Sequence, residues 1–186
     1  MNAWHAGVDG IHIFNLFTPL SPQWRELGDP DTLRQLDKVY YCNGTAGFSM
    51  INQHLAGGDR FLRMPTLSPE YPVTLNPGEA LDIPLVIGED VLWGKDRGIV
   101  PQLMLRLQVE GLARVQDLSV TLNGEALEGD LTDGWLEYAP APEWMRQGAN
   151  SVEISLGIGC EVGPALQELQ LRAGYADAAG GAAAER

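Results

Sequence analysis

LSVTLNGEAL (residues 118–127) and WLEYAPAPEWMRQGANSVEISL (residues 135–156) decide how this chain folds. Both are built of short apolar or alternating runs, the period-2 pattern of strands with one face in a core. Asn123-Gly124 falls between VTL and the apolar continuation Ala126-Leu127. That dipeptide tolerates the left-handed backbone of a two-residue hairpin turn, so it predicts antiparallel pairing. Working outward, strands are expected at 60–64, 71–75, 80–87, 101–109, 117–122, 134–138, 151–157 and 165–173, with a turn at Asn76-Pro77-Gly78. Such a series predicts a mainly β chain folded as an antiparallel sandwich or jelly roll.

The N-terminal texture is different. GIHIFNLF (10–17) is almost continuously apolar, as in a strand buried on both faces of a parallel sheet. Asp29-Pro30 then sets an N-cap acid before a proline at the first helical position. Leu33, Leu36 and Val39 or Tyr40 follow at helical spacing, with Asp31, Arg34, Gln35 and Lys38 between them. A single strand and helix cannot cover a two-sided strand, whose neighbours come from other such units. The expectation is therefore a terminal βα unit of an incomplete barrel over 1–40, a sandwich over 41–176, and a disordered tail over 177–186, where small residues lack an aromatic anchor.

GVDGIHIFNLF with WRELGDPDTLRQLDKVY resembles the last strand and helix of the (β/α)8 TIM barrel of bacterial glycoside-hydrolase-like proteins. The 118–127 and 135–156 stretches resemble the galactose-binding-like β-sandwich often attached to such enzymes. The second motif is shared by many sandwich modules and specifies a fold more than a ligand. Together the resemblances imply the C-terminal region of a glycoside hydrolase, inactive by itself, with a sandwich that supports the missing N-terminal barrel and offers a surface to carbohydrate. Two other readings stand beside it: a stand-alone lectin-like module and a structural cell-envelope module.

Bulk properties narrow the partners. A net charge of -13 repels phosphate backbones and anionic lipid, so neither nucleic acid nor a membrane surface is expected. No apolar run reaches the roughly 18 residues of a membrane span, and residues 1–9 lack the basic start and apolar stretch of a secretory signal. Cys42 and Cys160 lie far apart without CxxC spacing. His5, His12 and His54 are isolated, so no metal site or cofactor is expected.

Glycoside hydrolysis requires two carboxyl groups about 5 to 9.5 Å apart. The acids nearest the 10–17 run, Asp29, Asp31 and Asp37, belong to a helix and its cap, so no catalytic residue is assigned. The barrel resemblance places Asn15, Phe17 and Trp24 nearest a sugar, with Asn15 bonding a hydroxyl and the aromatics either stacking on a ring or packing under the barrel end. In the loop EDVLWGKDR (89–97), Trp93 either stacks on a sugar with Asp90, Asp96 and Arg97 bonding its hydroxyls, or folds back on the protein. Trp135 and Tyr138 share a strand, and at least one is assigned to the core.

Overall fold

The computed structural model describes residues 1–13, 17–42, 67, 69, 72–160 and 163–175. Among these, strands β1 (Lys38–Tyr41), β2 (Val73–Thr74), β3 (Ala80–Ile87), β4 (Gln102–Glu110), β5 (Leu118–Leu122), β6 (Glu125–Leu127), β7 (Gly129–Thr132), β8 (Trp135–Tyr138), β9 (Gly148–Leu156) and β10 (Ala165–Gly174) form two antiparallel sheets. A six-stranded sheet runs β1-β10-β4-β8-β7 with β2 also on β10, and a four-stranded sheet runs β3-β9-β5-β6. This is the expected β-sandwich.

Alternation explains how the sheets face each other. Leu103, Leu105 and Leu107 of β4 and Leu169, Leu171 and Ala173 of β10 line one inner wall. Ile83, Leu85 and Ile87 of β3, Val120 and Leu122 of β5, and Val152 and Ile154 of β9 line the other. Each fully buried leucine or isoleucine contributes on the order of 2 kcal/mol relative to an exposed one, so the core is the dominant stabilising term. Asn123 (φ 53°) and Gly124 (φ 90°) form the expected turn between β5 and β6, and Asp133-Gly134 turns β7 into β8 in the same way. Pro84 is accommodated because β3 is an edge strand.

Residues 1–42 depart from expectation. Asp29 does cap a helix, its carboxylate accepting from the Asp31 amide at 3.0 Å, but α3 stops after one turn, Pro30–Leu33. The helix predicted to continue to residue 40 is replaced by β1, whose Tyr41, Tyr40, Val39 and Lys38 pair with Gln170, Leu171, Arg172 and Ala173 of β10. Two causes combine. The Lys38 ammonium donates to the Leu33 and Leu36 carbonyls at 2.5 Å each, satisfying groups that a continuing helix would have used. The β-prone Val39-Tyr40-Tyr41 then gains a ladder on β10 and buries Tyr40. The six-stranded sheet thus begins ahead of residue 41.

Of the strand predicted at 10–17, residues 10–13 and 17 lie in no strand, and Phe17 is 85% exposed. Asn15, the strand predicted at 60–64 and the 177–186 tail lie outside the described residues. Helices α1 (Asn2–His5) and α2 (Gln23–Glu26) complete the segment. Asn2 fastens it to β3, donating to Val86 O at 2.9 Å and accepting from the Gly88 amide at 2.6 Å. Gly88 permits this approach, since a Cβ there would lie 2.6 Å from the Asn2 Cα.

Candidate functional site

The 88–98 loop places Asp90, Trp93, Asp96 and Arg97 at one end of the sandwich. Asp90 is committed to the turn itself, its Oδ1 accepting from the Leu92 amide at 3.0 Å. Asp96 and Arg97 sit in a single 3-10 turn, Lys95–Arg97, and Lys95 pairs with Glu143 at 2.9 Å. Trp93 is 37% exposed, but two guanidinium groups lie against its ring, Arg97 at 5.0 Å and Arg34 at 5.3 Å from the centroid. Cation-π attraction to the indole links Arg34 to this loop while the ring keeps part of its surface in solvent.

Phe17 and Trp24 are both exposed, and Trp24 donates its indole N–H to Thr18 O at 3.0 Å. No hydrogen bond or ion pair among the described residues joins either to the 88–98 loop. Among the described residues there is no group of three or more His, Cys, Asp or Glu able to hold a metal.

Beside the loop lies a polar cluster that the sequence reading passed over. Glu89 is only 1% exposed, yet its carboxylate accepts from Tyr40 Oη at 2.9 Å and Tyr175 Oη at 2.7 Å and pairs with Lys38 Nζ at 3.1 Å. Lys38 also sits 4.7 Å over the Tyr175 ring. Burial lowers the Lys38 pKa against the opposing pull of Glu89, and burial with the Glu89 charge drives both tyrosine pKa values upward. Glu89 joins β1, the end of β3 and the end of β10. It is a fully bonded pin, and both of its oxygens are occupied.

A second unpredicted cluster lies on the outer face of the six-stranded sheet. Register sets Tyr41, Gln170, Arg106, Glu137 and Asp130 in one row across β1, β10, β4, β8 and β7. Gln170 and Arg106 are 3% and 9% exposed although they face away from the core. Arg106 Nε lies 2.8 Å from Glu137 Oε1, but alignment is poor and the contact is an ion pair without a directed hydrogen bond. Trp135, two residues before Glu137 and on the same face, covers the guanidinium at 4.4 Å. Arg172 donates to Gln170 Oε1 at 3.1 Å. Tyr138, on the opposite face from Trp135, is in the core, where burial pushes its hydroxyl up to about 12.

No family model and no curated protein matches the chain. Among solved structures it is similar to a β-porphyranase of glycoside hydrolase family 86 from the human gut bacterium Bacteroides plebeius, at 18% identity and a TM-score of 0.41. The match covers 59% of this chain and 20% of that enzyme. The chain therefore aligns with about a fifth of that protein's length.

Proposed function

We propose that this chain is a non-catalytic region of a glycoside-hydrolase-like protein, in which the sandwich buttresses a preceding barrel and presents a surface to carbohydrate. The supporting observation is the state of residues 1–42. They are fastened to the sandwich through Asn2, β1 and the Lys38–Glu89 pair, yet they leave Phe17 at 85% and Leu20 at 92% exposure with Trp24 exposed beside them. An anchored segment with bare large apolar side chains suits a surface that another domain covers. The charged, amide and aromatic groups on the outer sheet face suit hydroxyl recognition, which is the carbohydrate half of the reading.

The test is sedimentation velocity of the isolated chain beside the double variant Phe17→Ser/Leu20→Ser. Concentration-dependent self-association of the parent chain that the double variant relieves is the expected result. Two monomeric proteins with the same fluorescence of a bound apolar dye would overturn the buttress reading. Release of reducing ends from polysaccharide by the isolated chain would overturn its non-catalytic part.

A further inference from the structure

We infer that the outer face of the six-stranded sheet, centred on Trp135, Arg106 and Glu137, is the binding platform for a neutral polysaccharide chain, in place of the Trp93 loop. This rests on the carbohydrate half of the function proposed above and assigns its site.

The solvent side of a sandwich sheet ordinarily carries long polar side chains that extend into water. Here Arg106 and Gln170 are almost wholly buried on that side. The Trp135 ring lies over the Arg106 guanidinium, so one face of the indole is held by cation-π attraction while the residue keeps part of its surface in solvent. A restrained indole on a sheet face loses little freedom when a pyranose ring stacks on it. The groups beside it divide the hydrogen-bonding work. The Glu137 carboxylate, 20% exposed, accepts from hydroxyls, whereas the exposed Arg172 guanidinium donates to them, and Arg106 stays beneath the indole as its support. Hydroxyls along a sugar chain, each both donor and acceptor, match an acceptor on β8 and a donor on β10.

The surface is also extended. With strands about 4.8 Å apart, the two steps from Trp135 on β8 to Gln170 on β10 span roughly 10 Å, more than a single sugar ring needs. Along β4 and β10 it continues into an open groove of about 590 Å³, lined by Met104, Arg172, Pro140 and Pro142 among others. Arg172 belongs to both, because it lines the groove and donates to Gln170. An extended face with a groove at its edge suits a chain.

Charge selects the class. Arg106 and Arg172 are set against Glu137, Glu168 and Asp130 on the same face, in a protein of net charge -13. A sulfated or uronate polymer meets more carboxylates than guanidinium groups there, so the occupant is uncharged. At the Trp93 loop two guanidinium groups, rather than one, are engaged with the ring.

The experiment uses the full chain with neutral hexasaccharides of glucose, xylose, mannose and galactose, and alginate as the anionic comparator, followed by calorimetry. Binding of at least one neutral hexasaccharide, lost more than tenfold in Trp135→Ala and retained in Trp93→Ala, is the expected result. Oxidative footprinting of the unaltered chain gives a second readout independent of whether the variant folds: the sugar should protect Trp135 and Met104. Binding that survives Trp135→Ala, or protection confined to Trp93, overturns the platform while leaving carbohydrate binding intact. Tighter binding of alginate overturns the neutral assignment. Absence of binding to every hexasaccharide and to alginate overturns the platform together with the carbohydrate reading.

Discussion

Replacing Glu89 with glutamine tests what holds β1 to the sandwich. The substitution keeps the volume of the side chain and one oxygen acceptor but removes the charge. Lys38, with only 11% of its side chain exposed, then retains the Leu33 and Leu36 carbonyls and loses its counter-ion. Tyr40 and Tyr175 donate to different oxygens, so one of them keeps its acceptor and the other meets the new amide N–H, from which its hydroxyl has to accept instead of donate. Breaking a buried ion pair on one side costs about 3–5 kcal/mol, and the surviving carbonyl contacts offset part of this. The expected loss is about 3 kcal/mol, a shift of roughly two orders of magnitude in the unfolding equilibrium. Urea unfolding followed by tryptophan fluorescence reads it. Lys38→Met in the same background should recover more than about 1 kcal/mol of the sum of the single effects, because the two charges are coupled. Hydrogen exchange should show the β1 amides losing protection ahead of β4. A Glu89→Gln protein within about 0.5 kcal/mol of the parent, or strictly additive single and double variants, would refute the idea that this pair secures the strand.

Two further perturbations address the remainder of the fold. Stability should fall as the solution becomes alkaline, because burial holds Cys42 protonated up to about 12 and Tyr138 up to about 12, with Tyr40 and Tyr175 raised as well. These acids keep protons in the folded state that the unfolded chain gives up above about pH 9, so the folded state binds more protons than the unfolded one and each rise in pH favours unfolding. The lowered Lys38 ammonium and Met1 α-amino group act in the opposite sense but are two groups against four. Cys42 alone accounts for on the order of 3 kcal/mol by about pH 11; urea midpoints that stay constant between about pH 8 and 11 would contradict this, and Cys42→Ala should flatten the first part of the decline. Asn150, buried in β9, accepts from Asn123 Nδ2 and the Arg146 amide and donates to the Arg146 and Gly148 carbonyls. Asn150→Ala strands these partners, and calorimetry should record a Tm about 5–10 °C lower for a cost of about 2–3 kcal/mol; a shift under about 1 °C would count against it.

The legible part of the fold is the part governed by local pattern. Strands β3, β4, β5, β8, β9 and β10 appear in the sequence as apolar alternation bounded by turn residues, and Asn123-Gly124 announces its hairpin. The segment Lys38–Tyr41 is harder, because Leu33, Leu36 and Tyr40 satisfy a helical period as well as Val39-Tyr40-Tyr41 satisfies a strand. The ladder on β10, a strand far along the chain, decides between them together with the local Lys38 contacts. Glu89 reads as a loop acid for the same reason. Its burial exists only once Lys38, Tyr40 and Tyr175, up to 86 residues away, converge on it.

The two aromatic candidates separate along the same line. Trp93 in EDVLWGKDR stands out in sequence because acids and a glycine surround a tryptophan, yet those neighbours contribute turn geometry and Arg97 lies on its ring. Trp135 does not stand out, since it occupies an ordinary strand position. What distinguishes it is register: β4 against β8 brings Arg106 opposite Glu137, and β10 against β4 adds Gln170. Period-2 alternation says which residues leave the core, but it cannot say which of them line up across strands distant in sequence. A row of polar and aromatic side chains on a sheet face is therefore hidden in sequence until the strand order is known, whereas a loop motif is visible at once.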